Sequence, residues 1–467
     1  MTYIIIGAII LIFIAGIAVK QQPTGEKYSA SFGDASFSMS IFNKGFSLAG
    51  GMKAITRDQS FRNCLIVGAT GSNKTAGPLT GSLFTLSRSP SSIVVLDVSS
   101  ENKLHSSGYL HAKKGRKIYS LDFGPNSDGF NPLAWCKNAD DLNRVAHVLL
   151  KNAEVTSKND PYWSSSSEMI LALFLQLLVN YEREEHRNMA NVVLLLETYM
   201  SEPEKIDLLF VRTKDENLLR SYKTLNAIPE KTRQSILSTA ITATKLFKSP
   251  AVARCTSINT FDVASFRKEP SVLYICIPLN QVSFLAPLSA LLFEMMFQES
   301  LSEIPKKSAL PIFYLMDEMI TMKLDLGLVF SNCRKYKVGC MGVIQDLKML
   351  EMKYSQAESY AIKSNACSQV YLPPQSLPTC KELQEILGKC IVKDERGNER
   401  QQYLMEASEI RTMSEAIILI NGGLPLRERI RPYYKHFIYN SRTKIPPYVA
   451  TQRKIPFDTP SFIELPS

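Results

Sequence analysis

Residues 68–75 read GATGSNKT. Every position but one agrees with the phosphate-binding loop G-x-x-x-x-G-K-S/T; the exception is Asn73, which stands where that loop carries its second glycine. No other stretch constrains the fold as much, because such a loop needs a buried strand before it and a helix after it. Both are present in the pattern. Residues 63–67, NCLIV, are short, apolar and β-branched, as a strand covered on both faces requires. After Thr75 the stretch AGPLTGSLFTL has apolar positions at helical spacing, although Pro78 removes one hydrogen bond from its early turns.

In such a loop successive backbone N–H groups curl round a phosphate, the lysine reaches the outer phosphates and the hydroxyl holds Mg²⁺. Gly68, Thr70, Gly71, Ser72, Asn73, Lys74 and Thr75 are therefore the candidate ATP-binding residues, with Thr75 also a candidate Mg²⁺ ligand. Asparagine can serve at position 73 if that position needs φ > 0, because its short polar side chain tolerates the left-handed region. If the position instead needs an absent Cβ, asparagine obstructs. The sequence alone leaves both open.

The chain has 467 residues, 45% hydrophobic and 21% charged, which fits a folded protein of two or three domains. Its net charge of +10 favours anionic partners, nucleic acid or an anionic membrane face. The nine cysteines form no C-x-x-C pair and the five histidines do not gather near them, so no metal-site spacing is present and the thiols read as reduced and buried. Residues 3–19, YIIIGAIILIFIAGIAV, carry no charge and are followed by Lys20 and Lys27. A cleaved signal peptide would have a basic start and a small-x-small site; MTY and AGIAVKQQ offer neither. The expectation is a single-pass anchor over 1–20 with the bulk of the chain cytoplasmic.

Residues 21–60 lack periodic runs and read as a juxtamembrane linker with a short hairpin. From 61 to 137, and again from 251 to 437, buried strands alternate with helices: SIVVLDV, RKIYSLDF, SVLYICIP, LPIFYLMDE, VGCMGVIQ, QVYLPP and AIILING. That alternation predicts an α/β domain with a mostly parallel sheet. Residues 138–250 are helical by spacing and length and read as an inserted all-α domain, several of its helices opening on capping residues. The tail, 438–467, is polar with prolines and reads as irregular.

A second candidate cluster follows the strand IFYLM. Asp317 at its end can hold Mg²⁺, and Glu318 can polarise an attacking water. Gln345 closes VGCMGVIQ, where a glutamine can sense a γ-phosphate. Arg334, Lys335 and Lys337 precede that strand. Such a basic cluster is usually a solvated face, but in a ring ATPase an arginine there can reach the neighbouring subunit's site.

These segments together resemble the type IV secretion coupling proteins of the TraG/TraD family. GATGSNKT resembles the family's GxTGSGKT, and SSIVVLDVSSE its second strand, with Ser99 and Ser100 in place of the usual Pro-Lys-Gly region. GFNPLAW resembles its Asn-Pro-Leu turn, and DPYWSSSSEMIL a helix start. LMDE, CRKYKVGCMGVIQD and EIRTMSEAIILINGGLPLRERIRPYY resemble its later segments. The likeness runs in order from about residue 30 to 437. It implies a RecA-like P-loop NTPase domain with an inserted all-α domain and an N-terminal transmembrane helix in the bacterial inner membrane. It further implies a homohexamer using ATP and Mg²⁺ to deliver DNA, single-stranded and without sequence preference, with its relaxase, or effector proteins, to type IV secretion channel components. By position, Lys74 and Thr75 would bind phosphate and Mg²⁺, Asp317 and Glu318 would be the acidic pair, Arg334 a trans arginine and Gln345 the sensor. A hydrolysis-impaired ring scaffold that docks substrates on the channel is the alternative that Asn73 raises.

Overall fold

The structure is a computed structural model that describes residues 29–153, 161–393, 398–452, 455–456 and 459–466; the expected span over 3–19 lies outside these residues. Eleven strands are present among them: β1 Cys64–Gly68, β2 Ser92–Val98, β3 Lys117–Leu121, β4 Ser271–Ile277, β5 Ile312–Met316, β6 Val338–Ile344, β7 Ser368–Leu372, β8 Lys389–Lys393, β9 Glu399–Tyr403, β10 Ala416–Ile420 and β11 Leu426–Glu428. Nine form one sheet in the order β11-β10-β7-β1-β6-β5-β2-β4-β3. Every pairing from β7 to β3 is parallel, and β10 runs antiparallel to both its neighbours. The parallel sheet expected from the sequence is thus present, closed at one side by an antiparallel strand.

The strands are apolar because both faces are covered. β1, β2, β4, β5 and β6 are buried at every residue. Along β1 the side chains alternate: Leu65 and Val67 join one core, Cys64 and Ile66 the other. Parallel pairing also gathers the carboxyl ends of β1, β2, β5 and β6 along one edge of the sheet, and ligands in open α/β sheets bind outside such ends.

Between β3 and β4 the chain is helical: α1 Ala139–Asn152, α2 Pro161–Tyr181, α3 Met189–Ser201, α4 Pro203–Arg212, α5 Glu216–Asn226 and α6 Glu230–Thr244. Asn138, Asn188 and Asp215 cap α1, α3 and α5 by accepting from backbone N–H groups of the first turn. The apolar faces of these helices meet around Phe174, Phe210 and Tyr222, in a core continuous with one face of the sheet. Among the described residues, α2 and a later helix over 279–301 are long and apolar enough to cross a membrane; at least half of each is buried, so their apolarity serves this core.

Three segments differ from the sequence reading. Residues 39–56, read as part of a linker, are built into the domain: Phe46, Leu48 and Ile55 are fully buried and the backbone bridges Ser40 to Ala54 and Gly50 to Arg431. They dock by single side chains, which leaves no periodicity to read. Likewise the tail begins with a helix, Phe437–Thr443, that buries Tyr439, and its Ser461 carbonyl accepts from Asn188 and Asn191. The hairpin β8–β9 gave no signal because β9, ERQQY, is polar on both faces and exposed.

Candidate functional site

GATGSNKT links β1 to a helix, and its backbone takes the shape that its residue types permit. Gly71 and Asn73 are both left-handed, with φ of 82° and 62°. Gly71 has φ > 0 at no steric cost; asparagine, at position 73, is among the few side chains that tolerate it. Nothing lies within 4 Å of where a Cβ on Gly71 would stand, so it is the backbone conformation that favours glycine there. At Gly68 the opposite holds: a Cβ there would lie 2.5 Å from the Ser72 hydroxyl, so the loop closes this tightly only on glycine.

Pro78 does not break the following helix; it shifts its register. Residues Thr75–Leu79 form a π-turn before the α-helix Thr80–Leu86. Pro78 has no N–H to give to Lys74, and the Leu79 N–H bonds the Lys74 carbonyl instead at 3.3 Å. Thr80 completes the turn by donating its hydroxyl to the Thr75 carbonyl at 2.8 Å.

The structure brings Lys74, Thr75, Asp317, Glu318 and Gln345 together. The Thr75 hydroxyl lies 3.0 and 3.1 Å from the two Asp317 carboxylate oxygens. The Lys74 ammonium donates to the Gly68 carbonyl at 3.3 Å and lies 3.8 Å from Glu318 Oε2. Gln345 donates its amide to that same Oε2 at 3.0 Å. Glu318 itself is held left-handed, φ 79°, a costly conformation for this residue and one that the packing after β5 must enforce.

Arg334 is not part of this cluster. It precedes β6, at the amino edge of the sheet, and its exposed guanidinium lies 3.4 Å from Asp58.

The electrostatics of the carboxyl edge are lopsided. Burial pushes the Asp317 carboxyl up to about 7, and the neighbouring charges of Asp97 and Glu318 push the same way, while the Thr75 hydrogen bond opposes them. Asp97, fully buried at the end of β2, is also raised by burial. It accepts from the backbone N–H groups of Asn102 and Lys103 and from the Asn102 amide. Asn102 in turn accepts from Thr80 on the loop's own helix. The sequence reading gave Asp97 no place here, although an acid closing an apolar strand is the same signal that singled out Asp317.

Two buried polar atoms of the site have no partner among the described residues, Ser72 Oγ and Glu318 Oε1. Buried polar atoms are nearly always paired, so these are the places to look for a ligand or water. A hydroxyl beside a carboxylate is a donor set suited to a hard divalent cation, and a glycine loop carrying a lysine suits a phosphate chain. The residues present fit Mg²⁺ and a nucleoside triphosphate.

The sequence model of the family described as Type IV secretory system Conjugative DNA transfer matches residues 38–457. VirD4 of Rhizobium radiobacter is 25% identical over 208 residues, 40% of this chain and 30% of VirD4. The conjugal transfer protein TraG of Escherichia coli is 27% identical over 184 residues, 36% of this chain and 28% of TraG. The matched stretch is thus under a third of either relative's length. Among solved structures, the plasmid coupling protein TrwB in complex with the non-hydrolysable ATP analogue ADPNP superposes with a TM-score of 0.66 at 18% identity, covering 83% of this chain and 89% of that one. That likeness establishes a shared fold.

Proposed function

This chain belongs to the family of type IV secretory system conjugative DNA transfer proteins, and from that premise we propose that it is a membrane-anchored, ring-forming ATPase that drives DNA into a type IV secretion channel. One observation carries the enzymatic reading: Lys74, Thr75, Asp317, Glu318 and Gln345 converge at one sheet edge, with Glu318 Oε1 buried and without a partner among the described residues.

In this reading Lys74 leaves the Gly68 carbonyl to meet the outer phosphates. Thr75 and Asp317 would hold Mg²⁺, which would supply charge neutralisation for the phosphates. Glu318 presents its free Oε1 to the attacking water and takes its proton, and Gln345 steadies the carboxylate through Oε2. Asn73 supports the enzyme over the impaired scaffold, because its φ of 62° gives the loop the bend that a glycine would. Arg334, exposed at the other sheet edge, acts in a neighbour's site within a homohexamer. Residues 3–19 anchor the ring; the net charge of +10 supports DNA as cargo, and the family resemblance supports its being single-stranded with a bound relaxase. The TrwB complexes with ADPNP and with ADP and Mg²⁺ support the choice of nucleotide and metal.

The test is ATP binding and hydrolysis by the full-length chain, with and without single-stranded DNA. Lys74→Ala should lose both activities. Glu318→Gln should keep binding and lose hydrolysis by about 10²–10⁴-fold, as removal of a general base does, and DNA should stimulate the wild type. Binding without hydrolysis in the wild type would favour the scaffold. Turnover indifferent to Lys74→Ala would exclude this loop.

A further inference from the structure

We propose that Tyr434 is a positioning residue for the phosphate loop, acting through the side chain of Asn73; the proposal rests on the nucleotide-binding reading of that loop. The Tyr434 hydroxyl donates to Asn73 Oδ1 at 2.7 Å, across 361 positions of sequence. Asn73 is the one position at which this loop departs from the glycine pattern, and its side chain is held from outside the loop by Tyr434.

The tyrosine is presented by a fixed segment. The Arg431 N–H bonds the Ala49 carbonyl at 2.8 Å, and Arg431 bridges to Gly50. Ile430 presses on the loop's helix: a Cβ on Gly77 would stand 3.1 Å from its Cγ2. Tyr433, whose ring lies 5.5 Å from that of Tyr434, packs against His105. Tyr434 itself remains 46% exposed, so it is not a core anchor whose loss would unfold the domain.

The chemistry explains why an asparagine here needs a partner. A free asparagine carboxamide turns back to hydrogen-bond nearby backbone groups. In this loop those groups include the N–H donors meant for phosphate. A hydrogen bond to Tyr434 selects one rotamer and keeps the carboxamide out of the cradle, so Asn73 supplies the bend of a glycine without the interference of a side chain. Glycine needs no such support. Asn73 and Tyr434 are therefore a matched pair, and the 429–436 segment sets how ready the loop is to receive nucleotide.

A double-mutant cycle on the full-length chain tests this, with a non-hydrolysable ATP analogue and Mg²⁺ as the titrant. Tyr434→Phe should weaken affinity by roughly three- to tenfold, the value of one hydrogen bond, with the loss falling on KM in turnover assays. In the Asn73→Gly background the same Tyr434→Phe change should alter affinity by less than about twofold relative to Asn73→Gly alone, because nothing is left to hold. Equal losses in both backgrounds, or no loss in the wild-type background, would overturn the pairing. Lys74→Ala separates the two levels of inference. If it binds the analogue as the wild type does, the nucleotide site and the pairing fall together. If it abolishes binding while the cycle shows no coupling, only the role of Tyr434 falls.

Discussion

The carboxyl edge of the sheet and the helical region 139–244 bury polar groups in opposite ways. In the helical region every buried polar side chain among the described residues has its partner: Asn152 bonds the Val148 and Lys323 carbonyls, Ser167 the carbonyls of Trp163 and Ile236, Asn191 those of His186 and Ser461. At the carboxyl edge Ser72 Oγ and Glu318 Oε1 have none, Glu318 sits at φ 79°, and two acids, Asp97 and Asp317, are buried with raised pKa values. A buried donor or acceptor without a partner costs roughly 1–3 kcal/mol, so the edge is unfavourable as it stands. The buried polar groups of the helical region are satisfied by the chain itself, partly by the carbonyls of Lys323 and Ser461, whereas the edge leaves two polar atoms for a ligand or water. That difference agrees with the site that the motif marks.

The largest effect expected from it concerns charge. The edge sets Asp97, Asp317 and Glu318 beside Lys74, and a triphosphate adds more negative charge than one lysine and Mg²⁺ balance. In the proposed ring a neighbouring subunit would supply the further cation, and Arg334, exposed at the opposite edge, is the proposed donor. A trans arginine is worth on the order of 10³-fold or more in rate. Arg334→Ala should lose that much hydrolysis while retaining nucleotide, and mixing it with Lys74→Ala subunits should recover part of the activity, because some interfaces are again whole. Mixed rings that form yet never exceed the sum of the two mutants would assign Arg334 to its own surface alone.

The second prediction tests whether the helical core can be weakened without disturbing the edge. Phe210 is fully buried; its ring stacks on Tyr222 with centroids 3.9 Å apart and meets Phe174 edge-on. Phe210→Ala removes an aromatic side chain from a closed core and should cost about 3–5 kcal/mol of stability. Chemical denaturation should report that loss while nucleotide affinity under native conditions stays within about twofold. An affinity that fell in step with stability would show that the helical region and the sheet edge are one unit, and the comparison would fail.

How much of this was legible in the sequence follows the same division. Strands and the phosphate loop are tied to residue types at fixed spacing, and β1, β2, β4, β5 and β6 lie where their apolar runs predicted. Asp317, Glu318 and Gln345 were visible because each closes such a run, and parallel pairing then brings strand ends together. Four features were not visible. Tyr434 reaches Asn73 from a loop with no periodicity, and no local pattern announces a contact that distant. The register shift over Thr75–Leu79 depends on which carbonyl takes the N–H that Pro78 lacks, which the sequence flags only as a defect. The docking of residues 39–56 rests on isolated side chains such as Phe46, and β9 is too polar to read as a strand. Helices in 139–244 were legible as helices, but their pairing was not, because an apolar stripe is satisfied by many partners.

The smallest expected effect lies on the seam between α1 and α2. His147 Nδ1 lies 3.0 Å from Glu168 Oε1, with the two side chains 50% and 31% exposed. The Glu168 hydrogen bond raises the His147 pKa, aided by the charges of Glu168 and Asp325 and opposed by desolvation and by Lys151. A raised histidine pKa means that the folded state binds the proton more tightly than the unfolded chain does. The stabilisation is therefore fully present below the ordinary histidine pKa and is lost as pH rises through the higher folded value. Because the pair is half open to water, solvent screening limits it to less than about 1 kcal/mol. Denaturation midpoints of the wild type and Glu168→Gln should differ most near pH 5.5, about a unit below the ordinary histidine value, and converge as the solution becomes alkaline. This is the one place in the helical region where stability should follow pH through a histidine on its surface. A gap that stayed constant across the range would show that Glu168 contributes packing alone, and the helices would then be indifferent to the charge that dominates the sheet edge.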